Sequence, residues 1–255
     1  VAAPLILLWL AAPEIAWLTA RPRKQVAKDL DADDRRFLRL VARRSWLYFE
    51  RYAGPEDHWL PPDNHQEAPV AATAHRTSPT NIGMLALSAI SAWKLGHIGN
   101  PEFVGRMQAM LDTLERFERW HGHILNWYNT RDLSPLEPRY VSTVDSGNLA
   151  VSLIVLSSAC RTVASSPLFA DRRWDGLGDC LALLREGLSD SGLNGSLVER
   201  VDTILAHVQN RSLAPETWRD LADEARQQLA LVRSDLVGRL DASSQIEPEA
   251  LEVVR

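Results

Sequence analysis

Sulfur is scarce in this chain: 255 residues hold two cysteines and three methionines. Cys160 and Cys180 cannot supply a disulfide framework. Both fall in apolar helical patterns, so they are expected as buried thiols in a reducing compartment. Basic excess is also lacking. Lys and Arg number 28 against 33 Asp and Glu, a net charge of −5, which leaves no electrostatic footprint for nucleic acid. There is no glycine-rich phosphate loop and no dinucleotide fingerprint. His121 and His123 flank a glycine, but no third and fourth ligands come after them at zinc-like spacing, so no metal site is expected. No basic region precedes the first apolar run and no cleavage pattern ends it, which argues against a signal peptide. What remains is 45% hydrophobic and 24% charged, an ordinary globular composition with room for one large or two small domains.

Tryptophan, by contrast, is plentiful at nine residues. Carbohydrate sites and large helical cores are the two reasons for such an excess. The stretch His121–Asn148, HGHILNWYNTRDLSPLEPRYVSTVDSGN, favours the first. It is too polar for core and too aromatic for a linker. Trp127, Tyr128 and Tyr140 offer rings for apolar sugar faces. Arg131, Arg139, Asn126, Asn129, Asp132, Asp145 and Asn148 offer donors and acceptors for hydroxyls. The alternative is an ordered helix–helix connection whose rings only pack on the domain. A second loop, 56–77, has similar chemistry in Trp59, Asp63, Asn64, His65, Gln66 and Glu67.

Residues 1–20, VAAPLILLWLAAPEIAWLTA, have about the length of a membrane span, for which roughly 20 residues are needed. Arg21, Arg23 and Lys24 come next, and basic residues after a span place the downstream chain on the cytoplasmic side. Pro4, Pro13 and Glu14 keep open a buried or interfacial helix instead. The start in mid-run without Met suggests a piece of a longer membrane protein.

Four helices come after this segment. The first runs from about Asp31 to Tyr52, with Phe37, Val41, Tyr48 and Tyr52 on one side, and stops at Gly54-Pro55. Ser78-Pro79 opens the second, which carries no charge from Asn81 to Trp93. Asn100-Pro101 opens an amphipathic third, ended by Gly122. The fourth carries no charge from Gly147 to Cys160. Charged-faced helices thus alternate with helices apolar all round, and the latter are expected to be buried. Outer, inner, outer, inner is the order of an α/α barrel. Sequential helices run antiparallel, so the second and fourth run parallel and bring both polar-aromatic loops to one mouth. Further helices are expected after Asp175, after the turn SDSGLNG (189–195), from Pro215 and near Pro248. That makes about eight where a closed barrel needs about twelve, so the chain is expected to end before its barrel does. The fold class is all-α, a partial (α/α)6 barrel with an N-terminal membrane-type helix. The expected divisions are 1–24, hydrophobic segment and basic flank; 25–169, first half of the barrel; and 170–255, further hairpins of it.

The segments WLPPDNHQE (59–67), HRTSPTNIG (75–83) and GHILNWYNTRDLSPLEPRYVSTVDSGNLA (122–150) resemble the cyclic β-1,2-glucan synthases of Gram-negative bacteria. The resemblance covers residues 10–165 well and weakens after Ala170. Met84-Leu85-Ala86 departs from it, replacing a more aromatic stretch. It implies a large inner-membrane enzyme whose transferase builds glucan from UDP-glucose with a divalent metal. A glucoamylase-like (α/α)6 domain then closes the glucan into a ring by transglycosylation, and a phosphorylase-like domain trims chain length. The chain would be a fragment of such a protein, on the cytoplasmic side of the inner membrane, contributing glucan-binding loops with no cofactor of its own. Its partners would be a β-1,2-glucan oligosaccharide, the remaining domains and, through residues 1–20, the membrane.

Retaining transfer between sugars needs two carboxyls about 5 Å apart. Asp63, Glu67, Asp132, Glu137 and Asp145 stand near the expected mouth, but none matches the family's catalytic glutamates. Asp145 is the best-placed candidate, with N-capping of the fourth helix as its structural alternative. The expected substrate-binding set is Trp59, Asp63, Arg76, Asn126, Trp127, Tyr128, Arg131, Tyr140, Asp145 and Asn148. Arg76 could instead brace the loop through an ion pair. Adjacent residues in an extended stretch point opposite ways, so only one of Trp127 and Tyr128 is expected to face the cleft. A non-catalytic helical scaffold docking the transferase to its neighbours is the rival reading. Without the catalytic pair, the fragment alone is expected to be inactive.

Overall fold

A computed structural model describes residues 3–20, 29–192, 195–209 and 217–242. The basic flank at 21–24, the end of the SDSGLNG turn at 193–194, the helix start at Pro215 and the helix near Pro248 lie outside the described residues. The chain divides into two compact units, Val1–Arg36 and Phe37–Arg255.

The first unit contains α1 (Ala3–Ala20), which includes Pro13 and buries none of its residues. Its 18 residues are long and apolar enough to cross a membrane by length and composition. α2 (Ala32–Tyr52) starts where Asp31 Oδ1 accepts from the Asp34 amide at 2.8 Å, with Asp33 and Asp34 in the first turn. Its expected apolar side is covered in part, with Tyr48 and Tyr52 half-buried. Phe37 and Val41 are exposed, and Trp46 is the residue it buries.

The second unit is helical with short two-stranded pairs between helices. α3 (Pro79–Leu95) is its central element, and nine of its 17 residues are buried. It begins as expected: Ser78 Oγ accepts from the Asn81 amide at 3.3 Å and Pro79 occupies the first turn. Gly96 ends it at φ 87°. α4 (Asn100–Glu115) returns against it, burying Phe103, Met107, Met110 and Leu114. Gly122 does not end that helix. It lies in the turn of a hairpin, β4 (Arg119–Trp120) with β5 (His123–Ile124), where His121 and Gly122 take φ of 47° and 85°. Two residues in the left-handed region are what such a turn demands, and glycine supplies the second at no steric cost.

α5 (Thr143–Ala164) packs along α3 more extensively than any other pair of elements. Thr80 contacts Asp145 and Asn148, and one turn on Gly83 abuts Asn148 and Ser152. Contacts advance in the same sense along both helices, so they run parallel with their leading ends together, as expected. A Cβ on Gly83 would stand 2.7 Å from Ser152 Oγ, so glycine permits this approach. Burial of α5 on all sides is corrected, however. Only Leu149, Ser152, Leu156, Ala159 and Val163 are buried, while Val144, Val151 and Ile154 are 62–71% exposed. Lack of charge marks a helix that avoids water but not how many sides are covered. α5 too is long and apolar enough to cross a membrane by length and composition, yet it is a core helix on its α3 face. Cys160 on it is exposed, against the expected buried thiol; Cys180 is half-buried.

α6 (Arg172–Asp190), α7 (Ser196–Gln209) and α8 (Trp218–Ala242) build a second core around Trp174, Leu181, Leu197, Val201, Val208, Val232 and Leu236. It meets α3 at two glycines. A Cβ on Gly176 would fall 2.1 Å from Gly96 O. Arg173 Nη1 donates to that same oxygen at 2.7 Å. Beside the crossing, Asp179 accepts from Arg39 at 2.7 Å and pairs at 2.9 Å with His97, whose side chain is fully buried.

Candidate functional site

The leading ends of α3 and α5 gather side chains from both polar-aromatic loops. β1 (His65–Gln66) pairs with β2 (Ala72–Thr73) and folds the first loop back on itself. β3 (Arg76–Thr77) pairs with β6 (Tyr128–Asn129), joining the second loop to the residues just before α3. Arg76 and Trp127 therefore meet across one short ladder. The guanidinium lies 5.2 Å from the Trp127 ring centroid, within cation–π range.

Arg76 is itself held. Asp63 Oδ2 accepts from its Nη2 at 2.9 Å and its Nε at 3.2 Å, and Asp63 Oδ1 accepts from Asn81 Nδ2 at 3.3 Å. The loop-bracing ion pair thus exists and at the same time places the guanidinium on the indole. Asp63 is the more buried partner, its side chain 21% exposed against 51% for Arg76.

On the other side stands Asn126, buried at the centre of the group. Its neighbours fix its orientation, because an amide nitrogen must face an acceptor and its oxygen must face donors. The nitrogen donates to Asp145 Oδ2 at 3.1 Å. The oxygen accepts from Trp127 Nε1 at 2.6 Å and from Tyr140 OH at 2.7 Å. Asp145 Oδ1 accepts from Thr80 Oγ1, and Asn148 Nδ2 donates to the same hydroxyl at 3.1 Å.

N-capping by Asp145 is corrected. Ser142 is the cap, and its Oγ accepts from the Asp145 amide at 3.2 Å. The Asp145 carboxylate, in the first turn of α5, is left to face α3.

Seven of the ten expected residues are thereby in one network: Asp63, Arg76, Asn126, Trp127, Tyr140, Asp145 and Asn148. Three are not. Tyr128 is corrected from a sugar-stacking candidate to core. It is fully buried, stacks on Phe117 with centroids 3.9 Å apart, accepts from the Leu125 amide and donates to Glu118 O at 2.6 Å. Burial also pushes its phenol pKa up. The alternation across β6 thus gives Trp127 to the group and Tyr128 to the core. Trp59 is half-buried and lies outside this network; the Arg106 guanidinium of α4 is 5.8 Å from its ring centroid. Arg131 joins another chain of contacts, Arg131 Nη2 to His75 Nε2 at 3.0 Å and His75 Nδ1 to buried Asp57 at 2.8 Å.

The other carboxylates near the mouth serve turns. Asp132 accepts from the amide and hydroxyl of Ser134, which holds its pKa below the usual carboxylate value. Glu137 pairs with Arg139, which also reaches Glu118 at 2.8 Å. Glu67 is exposed. Two network members, Thr80 and Asn81, lie outside the expected set. Their signal is the polar first turn Ser78-Pro79-Thr80-Asn81 opening an otherwise apolar helix. Among the described residues no three His, Cys, Asp or Glu side chains converge as a metal would need.

No family model matches the chain. A cyclic β-(1,2)-glucan synthase, NdvB, of Rhizobium meliloti (strain 1021) is 41% identical over 241 residues, 91% of this chain. The likeness read from the sequence segments therefore extends over nearly the whole chain, including the helices after Ala170. The chain spans 8% of that relative's length. Among solved structures, a glucoamylase-like protein of Bacteroides fragilis aligns over 73% of this chain and 37% of its own, at 15% identity and a TM-score of 0.39.

Proposed function

We propose that this chain contributes glucan-binding loops to the domain of a cyclic β-1,2-glucan synthase that cyclises linear glucan by transglycosylation. The observation that carries the reading is the group at the leading ends of α3 and α5. It combines an indole and a phenol, both held at their polar edges, with a ring of amides, a guanidinium and carboxylates. Half-buried Trp127 and 47% exposed Tyr140 supply apolar faces. Arg76, Asn81 and Asn148 supply donors at the rim. Such a mixture suits a neutral polyhydroxyl ligand better than an anion, since the one guanidinium is already paired with Asp63 and the Asp145 carboxylate adds a negative charge held only by neutral donors. The 41% identity to a protein named for cyclic β-1,2-glucan synthesis supports a glucan as that ligand. The binding loops would act on behalf of catalytic carboxyls carried elsewhere in a longer polypeptide, so this segment alone would bind without turnover. A sugar nucleotide and its metal would belong to the transferase, and α1 would be the membrane-facing part.

Replacing Trp127 with Ala removes the stacking face. Affinity for a linear β-1,2-gluco-oligosaccharide, read by calorimetry, is expected to fall at least roughly tenfold, the size usual for a central aromatic contact. Equal affinities for wild type and variant would remove the indole from the site.

One observation favours a docking role beside this. The outer face of α5, with Val144, Val151 and Ile154 exposed and no charge between Gly147 and Cys160, is suited to cover by another element. That role leaves the mouth of the network open and is compatible with glucan binding.

A further inference from the structure

We infer that Asp145 is a positioning residue that acts through Asn126 to fix the plane of the Trp127 indole, and that it does not itself contact the sugar or take part in bond making. This rests on the glucan reading above for its consequence, though not for its geometry.

Both oxygens of Asp145 are engaged inside the protein, Oδ1 by the Thr80 hydroxyl and Oδ2 by the Asn126 amide. A general acid or nucleophile needs an oxygen directed at the reacting atoms, and here each oxygen is already directed at a protein donor. The carboxylate instead settles which way the Asn126 amide points. With the nitrogen drawn to the charge, the oxygen must face the Trp127 N–H and the Tyr140 hydroxyl, at 2.6 and 2.7 Å. Reversing the amide would set two N–H donors against the indole N–H and leave the carboxylate without its donor. Hydrogen bonds to an ionised acceptor are about twice as strong as neutral ones, so the aspartate dominates the choice.

The second aspartate holds the same ring from another direction. Asp63 orients Arg76, and Arg76 covers one face of the indole. Trp127 is therefore fixed at its polar edge by Asn126 and on one face by Arg76, while the residue stays half-buried. Because one amide oxygen serves both Trp127 and Tyr140, the two rings are held in a set relation.

The test compares Asp145→Ala, Asp145→Asn and the wild-type full chain by two readouts. One is the 15N–1H resonance of the Trp127 indole, assigned by its disappearance in Trp127→Phe. The other is affinity for a linear β-1,2-gluco-oligosaccharide. In Asp145→Ala the indole resonance should move toward the position of a water-exposed indole, and affinity should fall roughly tenfold, the worth of one charge-assisted bond. Asp145→Asn keeps an oxygen for the Asn126 nitrogen and should restore both readouts most of the way. An unmoved indole resonance in Asp145→Ala overturns the inference. So does an Asp145→Asn protein whose indole is native but whose affinity is as weak as that of Asp145→Ala, because the charge would then be touching ligand. If the wild type binds no glucan, the glucan reading fails by itself, and the indole resonance alone decides the clamp.

Discussion

Gly176→Ala is expected to cost about 3 kcal/mol, the upper end of what forced overpacking does. The added Cβ would stand 2.1 Å from Gly96 O, 2.3 Å from Gly96 C and 2.8 Å from His97 N. All three are backbone atoms, so no side chain can swing aside. Gly96 cannot retreat easily, because it closes α3 at φ 87° and a Cβ of its own would lie 1.7 Å from Arg172 O. The two helix segments must move apart, and the Arg173–Gly96 bond and the Asp179 contacts beside the crossing would loosen with them. Gly187→Ala, on the same helix with no atom within 4 Å of the added Cβ, is the control. It should gain roughly 0.5–1 kcal/mol, because alanine is the better helix former. Urea unfolding of both variants reads the two signs. Equal effects would mean that α6 does not cross the end of α3 as described.

Asp179→Ala should cost about 3 kcal/mol, the low end for breaking a buried ion pair. Asp179 accepts from Arg39 through both oxygens, at 2.7 and 3.2 Å, and pairs with His97 at 2.9 Å. The His97 side chain is fully buried, and its Nδ1 has no partner, so Nε2 depends on this carboxylate alone. Arg39 keeps 28% exposure, which lets water take over part of its charge and limits the loss. Substituting the pair together, Arg39→Met with Asp179→Leu, should recover at least roughly 1 kcal/mol of the single-variant deficit, because the stranded charge goes with its partner. Denaturant midpoints are the measurement. No recovery in the double variant would locate the cost in lost packing rather than in an uncompensated charge.

Local signals are legible where one residue type does one job. Ser78-Pro79 announces α3, and the alternation around Trp127-Tyr128 announces that the two rings point opposite ways, one to the polar network and one to the core. Which member goes where depends on Phe117, a partner eleven positions away that stacks on Tyr128. Asp145 reads wrongly as a cap because Ser142 stands three residues before it and is as good a cap. Only the approach of Thr80 from α3 shows what the aspartate is released to do. The uncharged run of α5 tells of avoidance of water, but its cover depends on neighbours, and one face has none among the described residues. The Gly96–Gly176 contact is invisible in the sequence, since each glycine alone reads as an ordinary helix end or a tolerated interior residue. The parallel course of α3 and α5 is legible because it comes from helix order, and with it comes the meeting of two loops some sixty residues apart.

The most direct test of the account is an NMR titration of the 15N-labelled chain with a linear β-1,2-gluco-oligosaccharide. The largest shifts are expected at the Trp127 indole and the Asn81 and Asn148 side-chain amides, with the Trp59 indole unmoved. A titration that leaves those three groups unchanged, or that moves Trp59 and Arg131 instead, would place sugar binding away from the leading ends of α3 and α5 and contradict the site.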